Sequence, residues 1–246
     1  MRHIDNHKAP QALIDWVAQQ KSLGYNLHFD VLGRVSVAGV ESDVKQAIKA
    51  QRLKDQGYLC AYTMVRISES DCHIEHIIPR TLSNEAGHPE ETVEYRNMVA
   101  CFPLDETEGK CPFGAHARED RLLPITPMDP GCETRMRFQT NGRVEAVNPS
   151  DSDIALITDP DVHLLRLNHP RLIDWRKAAI EGAILSPPGG RALTVQSARR
   201  FARRVLEFKW GALLTPYCVA LAHAALEYAD KLEKLSRKRR FSAPKN

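Results

Sequence analysis

Eight residues constrain this chain more than any others: Cys72-His73-Ile74-Glu75-His76-Ile77-Ile78-Pro79. Ile74, Ile77 and Ile78 mark a short buried strand, and Pro79 limits how far its ladder can run. Within it, a carboxylate and two imidazoles fall in four residues. Such groups are costly to bury unless they are paired or bound to metal. A carboxylate beside a histidine at a strand end suits phosphodiester hydrolysis: the carboxylate holds a divalent cation and the imidazole takes a proton from water. The plainer reading is a structural histidine cluster. Nearby cysteines and a downstream Tyr95-Arg96-Asn97-Met98 weigh against it.

The remaining pattern predicts helices around that strand. Pro10 opens a helix carrying Leu13, Ile14, Trp16 and Val17, which Gly24 stops. A second helix is predicted over Glu41 to Gln56, capped by Ser42 and ended by Gly57. Residues 25–40 are ambiguous. Tyr58 to Ile67 and Cys72 to Ile78 read as the two strands of a hairpin. Thr81 to Glu94 is a polar insertion. Asn141-Gly142, between alternating segments in Gly131 to Val147, predicts a second hairpin with a tight turn. Asp161 to Ala183 is helical and interrupted by Pro170, and Pro187-Pro188-Gly189-Gly190 reads as a linker. Thr194 to Trp210 and Pro216 to Lys238 read as two last helices. The expected class is α+β, mainly helical around a small metal-binding strand core. Its four parts are residues 1–57, 58–120, 121–188 and 189–246.

Charge is unevenly spread. Residues 189–246 hold 13 Lys/Arg against 4 Asp/Glu, a balance of +9, while the preceding 188 residues stand at −6. Such asymmetry marks a surface for nucleic acid or for an acidic partner, or a plain solvated face. Arg199, Arg200, Arg203 and Arg204 carry the basic character of one helix, and i and i+4 align. Leu213, Leu214, Val219, Leu221 and Leu226 give this part an apolar face, which suits docking on a partner or packing in the chain's own core.

Six cysteines without a secretory signal read as reduced thiols in a cytoplasmic protein, and no apolar run spans a membrane. Cys60, Cys101 and Cys111 flank the His-Ile-Glu-His segment as candidate ligands of a structural Zn2+, with Cys72, His73 or His116 as a fourth. Equally, these thiols pack as small hydrophobes. Cys132 and Cys218 read as ordinary core cysteines.

Taken together, Leu59 to Met64 with Arg66-Ile67, Cys72 to Pro79 and Tyr95 to Cys101 resemble the HNH endonucleases. They look most like the PtuB-like HNH proteins of Septu and retron-associated anti-phage systems. The likeness ends near Cys111, with a weaker echo in Asn141-Gly142-Arg143 and Leu167-Asn168. It implies a core of β-hairpin, helix and metal. It implies His76 as general base, Glu75 as the ligand of a catalytic Mg2+ or Mn2+, and Asn97 as the residue that holds the hairpin to the loop after it. His73, two residues before Glu75, shares its strand face and is a further candidate ligand. Thr63 stands where the family has a second cysteine. Pro112 follows Cys111 where a last ligand is usual, which leaves His116 for that role and Arg118 for phosphate contact. The resemblance also implies an anti-phage effector, held in check by an ATPase partner and acting on DNA ahead of RNA. No Gly-rich nucleotide loop occurs in this chain. The competing expectation is a zinc-stabilised nucleic-acid-binding or adaptor protein whose catalytic site has decayed.

Overall fold

A computed structural model describes residues 1–5, 8–37, 39–104, 111–162, 164–185 and 192–241. Helices alternate with three separate two-stranded antiparallel sheets, so the class is α+β. Helix α1 (Gln11–Ser22) follows Pro10, and Gly24 takes the left-handed conformation just past its end. Strands β1 (Arg34–Val37) and β2 (Val40–Asp43) form a hairpin in the region the sequence left ambiguous. Helix α2 (Val44–Asp55) is capped by Asp43, whose carboxylate accepts from the Gln46 N–H. Ser42, expected as the cap, instead pairs with Val35 in the hairpin. Helices α1 and α2 enclose Leu13, Trp16, Val44 and Ile48 with Val93, Tyr95 and Met98.

The expected pairing of Tyr58–Ile67 with Cys72–Ile78 is not the one formed. Strand β3 (His73–His76) pairs instead with β4 (Met98–Cys101), in the register His73↔Cys101 to His76↔Met98. All four β4 side chains are fully buried, so β4 offers an apolar wall and a free ladder edge together. Residues 58–67 fold back on themselves. Cys60 N–H donates to the Val65 carbonyl at 2.8 Å, Met64 N–H donates to Cys60 at 3.0 Å, and Met64 and Tyr58 take positive φ. This knuckle satisfies its own backbone and leans on the same sheet through Ala61 N–H to the Ala100 carbonyl, 3.1 Å. Between β3 and β4 lie α3 (Arg80–Glu85) and two 3-10 turns. After β4 comes a single helical turn, α4 (Ala115–Arg118).

The second expected hairpin is present as β5 (Met136–Phe138) and β6 (Val144–Ala146). Gly142 has φ 86°, and a Cβ built on it would lie 2.2 Å from the Ile173 carbonyl oxygen. Its own carbonyl accepts from the buried Arg176 guanidinium at 2.6 Å. Gly142→Ala therefore combines backbone strain with a clash on main chain. The expected loss exceeds about 1 kcal/mol, read as a lower urea midpoint at unchanged slope.

Helix α5 (Ser152–Thr158) precedes α6 (Pro170–Ile180), in which Pro170 opens the helix instead of interrupting it. Thr194 and Ser197 form a capping box at the start of α7 (Val195–Leu206), which packs on α8 (Cys218–Phe241). The Pro-Pro-Gly-Gly segment falls outside the described residues. Of the C-terminal apolar face, Leu214, Val219 and Leu221 are buried in the chain's own core, whereas Leu213 and Leu226 are exposed. That core also takes in Met1, Leu53, Tyr62, Val99 and Phe138. No helix among the described residues is long and apolar enough to cross a membrane.

On α8, His223 accepts through Nδ1 from the Phe138 N–H at 3.2 Å. Burial, with Arg137 nearby, holds its pKa below the ordinary histidine value. The unfolded chain protonates this group first as pH falls, so its contribution is intact above about pH 6.5 and declines below it. His223→Gln should flatten the loss of urea stability measured between pH 7.5 and pH 5.

Candidate active site

Strand alternation puts His73 and Glu75 on one face of β3 and Ile74 and His76 on the other. β3 ends at His76, and after Pro79 the chain bends into α3 around a cavity of about 430 Å³. Its lining includes His73, Glu75, His76, Arg80, Arg118 and Asp120. Asp30 and Glu119 also border it. Four carboxylates against two guanidinium groups make the described wall acidic.

Glu75 is held from below. Arg118, 1% exposed, donates from Nη2 to Glu75 Oε1 at 2.8 Å. The same guanidinium reaches the carbonyls of His76 at 2.6 Å and Ile77 at 3.1 Å, and the Tyr62 hydroxyl at 3.0 Å. Arg118 thus lies inward on the carboxylate, with its charge spent on the end of β3. The second Glu75 oxygen, Oε2, is 3.9 Å from His73 Nε2. His73 Nδ1 contacts the Pro103 carbonyl. A carbonyl only accepts, so Nδ1 carries the hydrogen, and in the neutral ring it is the Nε2 lone pair that lies on the Glu75 side. Two ligands about 2.1 Å from one ion span such a separation.

His76 is 4% exposed. Its Nε2 lies 2.9 Å from the Thr92 carbonyl and must donate to it, which leaves Nδ1 with the lone pair. Nδ1 has no hydrogen-bond partner among the described residues. The Phe29 ring meets the imidazole edge to face at 4.6 Å. Burial lowers the His76 pKa to about 4, with the Thr92 bond opposing and Arg80 and Arg118 assisting, so the ring is neutral at ordinary pH. Asn97 ties the loop together: Oδ1 accepts from the Ile78 N–H at 2.7 Å, while Nδ2 donates to the carbonyls of Glu91, 3.1 Å, and Ile78, 3.3 Å. It therefore sets the angle at which the chain leaves β3.

His116 stacks on His73 with ring centroids 5.4 Å apart. Its Nδ1 accepts from the Cys111 N–H at 3.1 Å, so the neutral ring has already committed its lone pair. The thiols of Cys60 and Cys101 share a hydrogen bond. Burial alone would raise the Cys60 pKa, but hydrogen bonds from Cys101, the Phe102 N–H and Thr63 outweigh it and bring it to about 6; the Cys101 thiol is pushed well up. Cys111 instead sits with Phe113 and Leu172. Burial pushes the Cys72 thiol up to about 11. Among the described residues, no three His, Cys, Asp or Glu side chains converge as a metal-binding group. Cys60 and Cys101 form a close pair of sulfurs, and Cys111 lies near enough to Cys60 to feel its charge.

The basic helix divides. Arg199 pairs with Asp230 at 3.4 Å and Glu233 at 3.1 Å on α8. Arg200 and Arg204 line a groove of about 460 Å³ with Phe201 and Val205. Arg203 projects from the exposed side of α7. Several participants in the site were not singled out from sequence: Phe29, Asp30, Arg80, Glu119, Asp120 and the carbonyls of Thr92 and Pro103. Arg80 directly follows Pro79, so its place beside the cavity had a sequence signal. The Thr92 carbonyl, a main-chain atom, had none.

No family model matches the chain. It is 26% identical over 142 residues to a Vibrio cholerae serotype O1 biovar El Tor protein named "Retron Vc95 putative HNH endonuclease". The matched region covers 57% of this chain and 67% of that protein.

Proposed function

We propose that this chain is a metal-dependent HNH endonuclease that hydrolyses phosphodiester bonds in nucleic acid, DNA ahead of RNA. The observation that carries the reading is the His76 imidazole. It is neutral, fixed by the Thr92 carbonyl with its Nδ1 lone pair left over, and belongs to a residue lining a cavity that also holds Glu75. A group so placed can take a proton from an attacking water. Arg118 keeps one Glu75 oxygen occupied and fixes the carboxylate's rotation, and Asn97 fixes the exit from β3. Glu75 Oε2 and His73 Nε2 would hold Mg2+ or Mn2+, with water completing its shell. When bound, the ion would neutralise charge on the phosphate and on the leaving oxygen. An acidic cavity repels a phosphodiester, which gives the cation a second purpose. The Cys60–Cys101 pair alone does not complete a zinc site, and no step depends on one.

The retron link of the Vibrio protein supports a role as nuclease effector of an anti-phage defence complex. An ATPase partner would then supply any nucleotide dependence. One observation favours the adaptor reading: Arg118 already occupies a Glu75 oxygen, as a permanent substitute for a cation would. Cleavage assays with plasmid DNA and with RNA separate the two readings. Cleavage should require Mg2+ or Mn2+, disappear in excess EDTA and return when either ion is restored. Undiminished cleavage after exhaustive chelation would exclude the cation, and no cleavage under any condition would favour the adaptor.

A further inference from the structure

Arg80 is the one basic side chain lining the cavity that is not already buried, among the described residues. The other, Arg118, is 1% exposed and saturated by Glu75, Tyr62 and two carbonyls. Arg80 starts α3 immediately after Pro79, and its side chain is 44% exposed. Its guanidinium contacts a single carboxylate, that of Asp30, itself 60% exposed. An ion pair so open to water is weak and easily exchanged. The guanidinium also lies 5.3 Å from the centre of the Phe29 ring, and the same ring meets His76 at 4.6 Å. One aromatic side chain thus spaces an exchangeable cation from the candidate base. A second bridge, His28 Nε2 to Asn84 Oδ1 at 3.1 Å, joins the same two segments.

We infer that Arg80 is a phosphate-binding position at the mouth of the cavity, where Asp30 occupies the guanidinium until a backbone phosphate of the nucleic acid replaces it. This rests on the nuclease reading of the cavity. Arginine suits the task, because its planar fork accepts either a carboxylate or a phosphate through two N–H groups. Asp30 then acts as a placeholder: it keeps the fork extended over Phe29 and raises the threshold for weak anions.

The test measures binding without cleavage. His76→Ala full-length protein is titrated against a fluorescent mixed-sequence DNA duplex at fixed Mg2+, with salt varied from about 50 to 200 mM. Adding Arg80→Ala should weaken binding roughly three- to tenfold and reduce the slope of log affinity against log salt by about one phosphate contact. Arg80→Lys should keep the slope, because the charge remains. Asp30→Asn should tighten binding about two- to fivefold, by freeing the guanidinium. An unchanged slope in Arg80→Ala would overturn the inference. So would equal weakening by Arg80→Ala and Asp30→Asn, which would make the pair a brace between segments. The nuclease reading fails separately, if wild-type protein binds with the Arg80-dependent slope yet never cleaves.

Discussion

His76→Ala should cleave nucleic acid about 10²-fold or more slowly than the parent chain at saturating Mg2+. On the proposed nuclease reading the imidazole is the proton acceptor, and no second histidine stands on its face of β3. His73 lies on the opposite face, with Nδ1 engaged by Pro103. The substitution has a structural cost as well. It leaves the Thr92 carbonyl without its donor and a gap against Phe29, so about 1–3 kcal/mol of stability should go with it. Rate and thermal unfolding must therefore be read together. His76→Gln, which can still offer an N–H to that carbonyl, should recover stability but not rate. Parental cleavage by folded His76→Ala would remove the assignment.

The largest effect on stability is expected at Arg118. Methionine fills a similar volume but cannot donate a hydrogen bond. Arg118→Met strands the Glu75 carboxylate, the Tyr62 hydroxyl and the carbonyls of His76 and Ile77 around one buried point. Breaking a buried pair from one side typically costs about 3–5 kcal/mol. Adding Glu75→Gln should return part of that loss, since an amide is cheaper to leave in place than an unpaired charge, and the two substitutions should couple by about 0.5–3 kcal/mol. Denaturant unfolding of the two single variants and the double variant measures this directly. If the losses simply add, the ion pair does not organise the end of β3.

What could be read from the sequence was mostly local. The hairpin turn at Asn141-Gly142 was legible because its backbone requirement is met by the turn residues themselves. Strand β3 was legible from Ile74 and its neighbours, although Ile77 and Ile78, expected in the same buried strand, fall past its end and Ile78 is exposed. The partner of β3 was not, since an apolar run such as Tyr58 to Ile67 looks the same whether it extends or folds into a knuckle. Only packing against the buried β4 decides between them. Ser42 and Asp43 are both good caps and both pair in the hairpin, but α2 begins at Val44, which puts Asp43 in the capping position. Glu75 and His76 stand out as residue types, but the sequence carries no sign of what holds them. Arg118 was read toward phosphate. Its inward course depends on Tyr62 and on the turn at α4, distant elements that meet only in the folded chain.

The carbonyl that orients His76 belongs to the main chain, and this has an evolutionary consequence. Residue 92 can change identity without withdrawing that oxygen, provided the backbone keeps its course. Inserting or deleting a single residue between Pro79 and Tyr95 would shift the oxygen away from the imidazole. Among descendants of such a chain, length in this stretch should be purged more tightly than composition, except at buried positions such as Thr92, whose hydroxyl links the Phe29 N–H to the Pro89 carbonyl.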